Sequence, residues 1–232
     1  MTSQVLDPRA RAVVDHLHAL SKRQTQRMLI PALLGMAAGM FRRDKRDFTQ
    51  TERGKTILAD KLIALDRDKA EFCYALCRGL RARCAVEAGT SYGVSTIYLA
   101  SAVRDSTAGG EPQGIVIGTE HEPAKAKAAR ENFAAAGVAE FIDLREGDLR
   151  ETLKHIDRPV DFMLVDIWAP MARPALACVA PNMHTGSMVV CDNTKSYRKA
   201  YTDYFDFLND SANGFLTMTL PYSGGLELSV KI

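Results

Sequence analysis

Between positions 87 and 95 the chain reads Glu87-Ala88-Gly89-Thr90-Ser91-Tyr92-Gly93-Val94-Ser95, joining an acid, two glycines and several hydroxyls. Gly89 and Gly93 remove side chains where the backbone must bend and a ligand must come close. The amides of a following helix, with the Ser95 hydroxyl, can then receive a carboxylate, and Thr90 and Ser91 lie within the same contact surface. The spacing is G-x-x-x-G rather than G-x-G-x-x-G, so a pyrophosphate cradle is not spelled out. Glu87 just before the bend would repel a pyrophosphate but suits the water and amine groups around an amino-acid tail, which favours S-adenosylmethionine over NAD. A tight turn with no ligand would read the same way. Further along, Glu120 can accept both hydroxyls of a ribose in either cofactor. Asp148, in REGDLRETL, can accept from an adenine amino group or act simply as a helix N-cap.

These residues need elements to hold them. From residue 84 short β-rich runs alternate with helical segments: CAVEA, VSTIYLASAV, GIVIGTE, PAKAKAARENFAAAG, FIDLRE, DFMLVD, a helix through Arg173 to Val179, and SMVVCD. That rhythm is βαβαβ, and each crossover implies a parallel strand covered on both faces, hence a doubly wound α/β sheet with ligands at the carboxyl ends of its strands. A helical stretch from Tyr197 to Leu208 follows. FLTMTLP and LELSVKI then flank Ser223-Gly224-Gly225, which predicts a terminal antiparallel hairpin. Before residue 80 no alternation is visible. Asp7-Pro8 reads as a cap and first turn, with apolar residues at helical spacing through Val13, Val14, Leu17 and Leu20; Arg42 to Thr56 reads as a loop and about Asp66 to Leu80 as a helix. The expected division is a helical extension over 1–80 and a cofactor-binding domain over 81–232.

The chain has 232 residues, 30 basic and 28 acidic, for a formal charge of +2. No overall field draws it to nucleic acid or anionic lipid, so a small molecule is the default partner. The five cysteines, Cys73, Cys77, Cys84, Cys178 and Cys191, are odd in number and partly embedded in apolar patterns, which points to packing in a reducing cytoplasm. The apolar stretch Leu29 to Phe41 falls short of the roughly 20 residues of a spanning helix, and is read as buried or covering the substrate rather than as a membrane segment. Apolar N-terminal helices are also able to pair two subunits as a homodimer.

Taken together, VEAGTSYGVSTIYLA, GTEHEPAKAKAARENFAAAG, REGD, LVDIWAP, VVCDN and the LPYSGGLELSV ending resemble the catechol O-methyltransferase-like methyltransferases, especially their small bacterial relatives, over roughly residues 44–232. The resemblance implies a Rossmann-like seven-stranded methyltransferase sheet with its last strand antiparallel. By position it gives Glu87, Gly89 and Ser95 the methionine end of S-adenosylmethionine, Glu120 the ribose, and Trp168 a place against the adenine ring. It also makes Asp166, Asp192 and Asn193 ligands of a divalent cation such as magnesium, which would hold an acceptor hydroxyl and lower its pKa. The acceptor would be a small aromatic or natural-product-like hydroxyl compound.

One position departs from the family. Its best-known members carry a lysine directly after the tryptophan as general base, and here Ala169 and Pro170 follow Trp168. His16, His18 and His184 are replacements by chemistry alone, and each also reads as an ordinary surface or packing residue. Metal-independent methylation of a small amine, an NAD-dependent oxidoreductase on the same sheet, and a non-catalytic domain that keeps the cofactor pocket remain as alternatives.

Overall fold

The computed structural model describes residues 5–37, 62–106 and 113–232, with side chains from 27 to 61 outside that description. The predicted Arg42–Thr56 loop and the end of the apolar Leu29–Phe41 stretch therefore lie outside the described residues. Asp7 opens α1 (Pro8–Ala37) as expected: its Oδ1 accepts from the amides of Arg9 at 2.9 Å and Ala10 at 3.1 Å, satisfying donors that the first helical turn leaves free. Helix α2 (Arg67–Leu80) starts after Asp66, where the sequence placed it.

The strands are β1 (Cys84–Ala88), β2 (Ile115–Glu120), β3 (Ile142–Glu146), β4 (Val160–Val165), β5 (Met183–Asp192), β6 (Phe215–Leu220) and β7 (Leu226–Lys231). Helices α3 (Val94–Ser106), α4 (Pro123–Ala136), α5 (Leu149–Thr152), α6 (Ala169–Val179) and α7 (Thr202–Asn209) make the crossovers. They form one seven-stranded sheet in the order β3-β2-β1-β4-β5-β7-β6. The first five strands run parallel, and β7 inserts antiparallel between β5 and β6. The sequence-based fold class is thus the observed one.

Every residue of β1 is buried, as a strand covered on both faces requires. One face packs on α1, α2, α3 and α4 through residues such as Val14, Cys73, Ile97 and Phe133, so the N-terminal helices share an apolar cluster with the sheet. The other packs on α5, α6 and α7 through Leu149, Leu176, Tyr204 and Leu208. All five cysteines are free, and Cys73 and Cys77 are core residues on α2, consistent with packing rather than metal binding.

Three boundaries differ most from expectation, the first being α6, which opens at Ala169 rather than at Arg173. Strand β5 starts at Met183 rather than Ser187 because Met183 still pairs with Val160 across an irregularity in the β4–β5 register, near Gly186 at φ +94°. The segment after Tyr197 winds first as a 3-10 turn over Arg198–Tyr201 before becoming α7.

At the amino ends of the central strands, Asp161 Oδ2 accepts from the amides of Arg83 and Cys84, and Oδ1 meets His184 Nε2 at 2.9 Å. The Asp161 hydrogen bond, helped by the Thr185 carbonyl, raises the His184 pKa. Stability from this contact is fully present below pH 6.5, the ordinary imidazole value, and is lost as pH rises through the raised value of the folded chain. Urea denaturation at pH 6 and pH 8 is expected to show a drop that shrinks in His184→Ala, by no more than about 1 kcal/mol because the ring is half exposed.

Candidate functional site

The bend after β1 is held from three sides. Thr90 N donates to the Thr119 carbonyl at 2.9 Å, Asp166 N donates to the Ala88 carbonyl at 3.0 Å, and Gly93 N closes the turn on the Thr90 carbonyl at 2.8 Å. Gly89 sits at φ +99°, and a Cβ there would overlap the Asp166 carbonyl oxygen. Only glycine satisfies both conditions. Ser91 has a left-handed backbone at φ +51°, and its amide donates to Glu120 Oε2 at 2.7 Å. Glu120 Oε1 accepts from the Glu122 amide at 2.8 Å. The predicted ribose acceptor is thereby fixed at the rim of the bend.

Glu87 is completely buried. Its Oε2 accepts from the Thr90 hydroxyl at 2.9 Å and from the Thr96 hydroxyl, whereas Oε1 has no hydrogen-bond partner in the protein. Burial pushes its carboxyl up, and the hydroxyls of Ser95, Thr96 and Thr90 act against that. A buried carboxylate oxygen without a donor is costly unless a ligand supplies one. Above it lies a small pocket whose floor is the bend, including Gly89, Thr90, Ser91 and Ser95, whose wall is Asp166, and whose roof is the segment 62–65. The roof hangs from α1: Leu62 N donates to Gln24 Oε1 at 2.9 Å and Ala64 N to Ser21 Oγ at 3.2 Å. The chemistry of Glu87 Oε1, an acceptor without a donor, suits an amine.

Gly93 takes its place at the start of α3 with φ +84°, against the Phe133 ring. Asp148 caps α5, accepting from Arg150 N at 2.9 Å and pairing with the Arg150 guanidinium, which draws its carboxyl down to about 2. Trp168 is half-buried at the residue before α6.

Asp166 and Asp192 leave the ends of adjacent strands, and Asp192 is tied to Asn193 through the Asn193 amide at 2.8 Å and Nδ2 at 3.0 Å. Asn193 is left-handed at φ +60°, and its loop is clamped by the terminal hairpin, where the Gly224 carbonyl accepts from Lys195 N at 3.0 Å and Ser196 N at 2.9 Å. The sequence reading missed what lies opposite. Lys69, in the first turn of α2 and 2% exposed, places Nζ 2.7 Å from Asp192 Oδ1 and 3.3 Å from Asp66 Oδ2. Burial works against its charge, but the hydrogen bond and charge of Asp192, with Asp66, outweigh it and raise the lysine pKa. Asp192 is pushed up by burial and drawn back by Lys69. Asp166 rises to about 8 through burial and the charges of Asp192 and Glu87, with Lys69 opposing.

A divalent cation does not fit this arrangement as it stands. Both Asp192 oxygens are engaged, Asn193 presents its amide nitrogen to Asp192, and the adjacent positive charge is an ammonium, which would repel a metal ion. Among the described residues no group of three or more His, Cys, Asp or Glu is placed to hold a metal. The sequence held one signal for Lys69: a cation in the first turn of a helix opposes the helix dipole and calls for a compensating partner. Of the histidine candidates, His184 sits at the far end of the strands on Asp161, His16 is exposed on α1, and His18 lies against Tyr98.

Residues 86–194 match a family profile described as a methyltransferase domain. That segment, 109 of the 232 residues, is similar to methyltransferase domains. The chain is 30% identical over 143 residues to a catechol O-methyltransferase of Mycobacterium tuberculosis, spanning 56% of this chain and 62% of that protein. It is 24% identical over 135 residues to one of Niastella koreensis, spanning 56% of this chain and 58% of that protein. The match thus covers about three fifths of the length of these relatives. The fold is shared with an O-methyltransferase, TomG, from Streptomyces achromogenes in complex with S-adenosylmethionine, at TM-score 0.62 and 20% identity over 80% of this chain and 90% of that one. A Bacillus cereus O-methyltransferase in complex with S-adenosylhomocysteine gives TM-score 0.62 at 17% identity, over 80% of this chain and 92% of that one. Among the described residues, no helix is long and apolar enough to cross a membrane.

Because the Gly89 Cα faces the Asp166 carbonyl, Gly89→Ala is expected to destabilise the protein by more than about 1 kcal/mol in chemical denaturation, even without ligand.

Proposed function

We propose that the chain transfers the methyl group of S-adenosylmethionine to a hydroxyl oxygen of a small acceptor molecule. The observation that carries this reading is the unpartnered Glu87 Oε1, buried next to a glycine bend whose residue 89 leaves the backbone open to close approach. The choice of oxygen is supported by the curated relatives, both catechol O-methyltransferases.

S-adenosylmethionine, when bound, supplies a sulfonium-linked methyl group whose carbon–sulfur bond breaks with the electron pair left on sulfur. Glu87 accepts from the amine, and Thr90 and Thr96 hold its other oxygen so that Oε1 cannot turn away. Gly89 lets the tail approach the backbone, while Ser95 and the first amides of α3 face its carboxylate. Glu120 receives the ribose hydroxyls at its free lone pairs, and Asp148 and Trp168 flank the adenine. Asp166 borders the reacting end. Its raised pKa allows it to hold or release a proton near neutral pH, within reach of the range a general base needs. The family lysine is absent at Ala169, and Lys69 holds Asp192. The segment 62–65 excludes water above the bend.

Isothermal titration is the direct test. S-adenosylhomocysteine is expected to bind and NADH not to, and Glu87→Gln is expected to weaken S-adenosylhomocysteine at least about tenfold, since hydrogen bonds to a charged partner contribute about 1.5–3 kcal/mol. Tight binding of NADH with none of S-adenosylhomocysteine would overturn the proposal.

A further inference from the structure

Lys69 stands where the resemblance puts a metal ion, beside the Asp166, Asp192 and Asn193 set. It is 2% exposed, anchored by the first turn of α2, and bonded to Asp192 Oδ1 at 2.7 Å, with Asp66 Oδ2 3.3 Å away. Buried ammonium groups are rare unless the site is built to pair them. Two features show that this one is built. Its helix positions it against the dipole, where a lysine gains nothing locally. Asp192 is itself oriented from its other sides by the Asn193 amide and Nδ2.

From this juxtaposition we infer that Lys69 is the resident cation of the site: its ammonium does the charge-balancing work of a divalent ion, and wild-type protein has no divalent-cation site there. The inference rests on the proposed methyl transfer for its meaning, but not for its test. With a fixed monocation on Asp192, a second, divalent charge is repelled from the same carboxylate. Lys69 is then a positioning residue, holding Asp192 and offsetting the negative charge that surrounds the acceptor side of the pocket. A lysine needs no loading from solution, so the balance of charge would not vary with the supply of metal.

The probe is Mn2+ alone, followed by electron paramagnetic resonance on the full chain with and without S-adenosylhomocysteine. Wild type and Lys69→Arg are expected to show no Asp192-dependent Mn2+ site. Lys69→Ala, which leaves Asp192 without its partner, is expected to gain one at least about tenfold tighter than any wild-type binding, and to melt at a higher temperature when Mn2+ is added. If the alanine variant does not fold, Lys69→Met refills the volume and serves in its place. Stoichiometric Mn2+ binding by wild type that Asp192→Ala abolishes, or equal Mn2+ binding in wild type and the neutral variant, overturns the inference. The two readings fail separately: loss of S-adenosylhomocysteine binding with this Mn2+ pattern intact sinks the proposed reaction alone.

Discussion

The register of the three central strands decides where everything else can be. Ala88 pairs with Val165, and Val165 pairs with Cys191, so β1 and β4 end level and β5 runs one residue further, to Asp192. The next residues on each, Gly89, Asp166 and Asp192, therefore emerge along one edge. Because side chains alternate between faces, a slip of one residue in either pairing would turn the acids the wrong way. The bond from Asp166 N to the Ala88 carbonyl extends this alignment one step past the sheet, and the glycine at 89 is what permits it. The helices supply the remaining parts: α1 hangs the roof, and α2 brings Lys69 to the edge from above.

Burial then converts alignment into chemistry. Glu87, Asp166 and Asp192 sit close enough to disturb one another, and one lysine faces them. In water such a group of acids would be unremarkable in its titration; in a pocket roofed by Leu62 and Leu65 their ordinary ionisation becomes costly. Burial thus leaves an unmet demand for positive charge, and among the described residues the buried carboxylate oxygen without a partner is Glu87 Oε1.

The sheet was legible because its strands are short, apolar and separated by helices of clear periodicity. CAVEA matches β1 residue for residue, and the hairpin forms at Ser223-Gly224-Gly225. The start of β5 was not legible, since Met183 joins only through an irregular register that no local pattern encodes. The acids at strand ends could be read for the same reason as the strands. Lys69 offered only its unfavourable place in the first turn of a helix, and its partner was not legible: tertiary packing across 123 positions of sequence is what reveals it. Likewise the commitment of Asp148 to Arg150 depends on side-chain geometry rather than on motif.

Under the proposed reaction, the acids beside the bend would treat the two ends of a turnover differently. A sulfonium donor carries a positive charge, and the spent thioether carries none. A pocket bordered by Asp166, with Glu87 buried next to it, would hold the first more firmly than the second whenever these groups are ionised, which favours exchange of used donor for fresh with no moving part required.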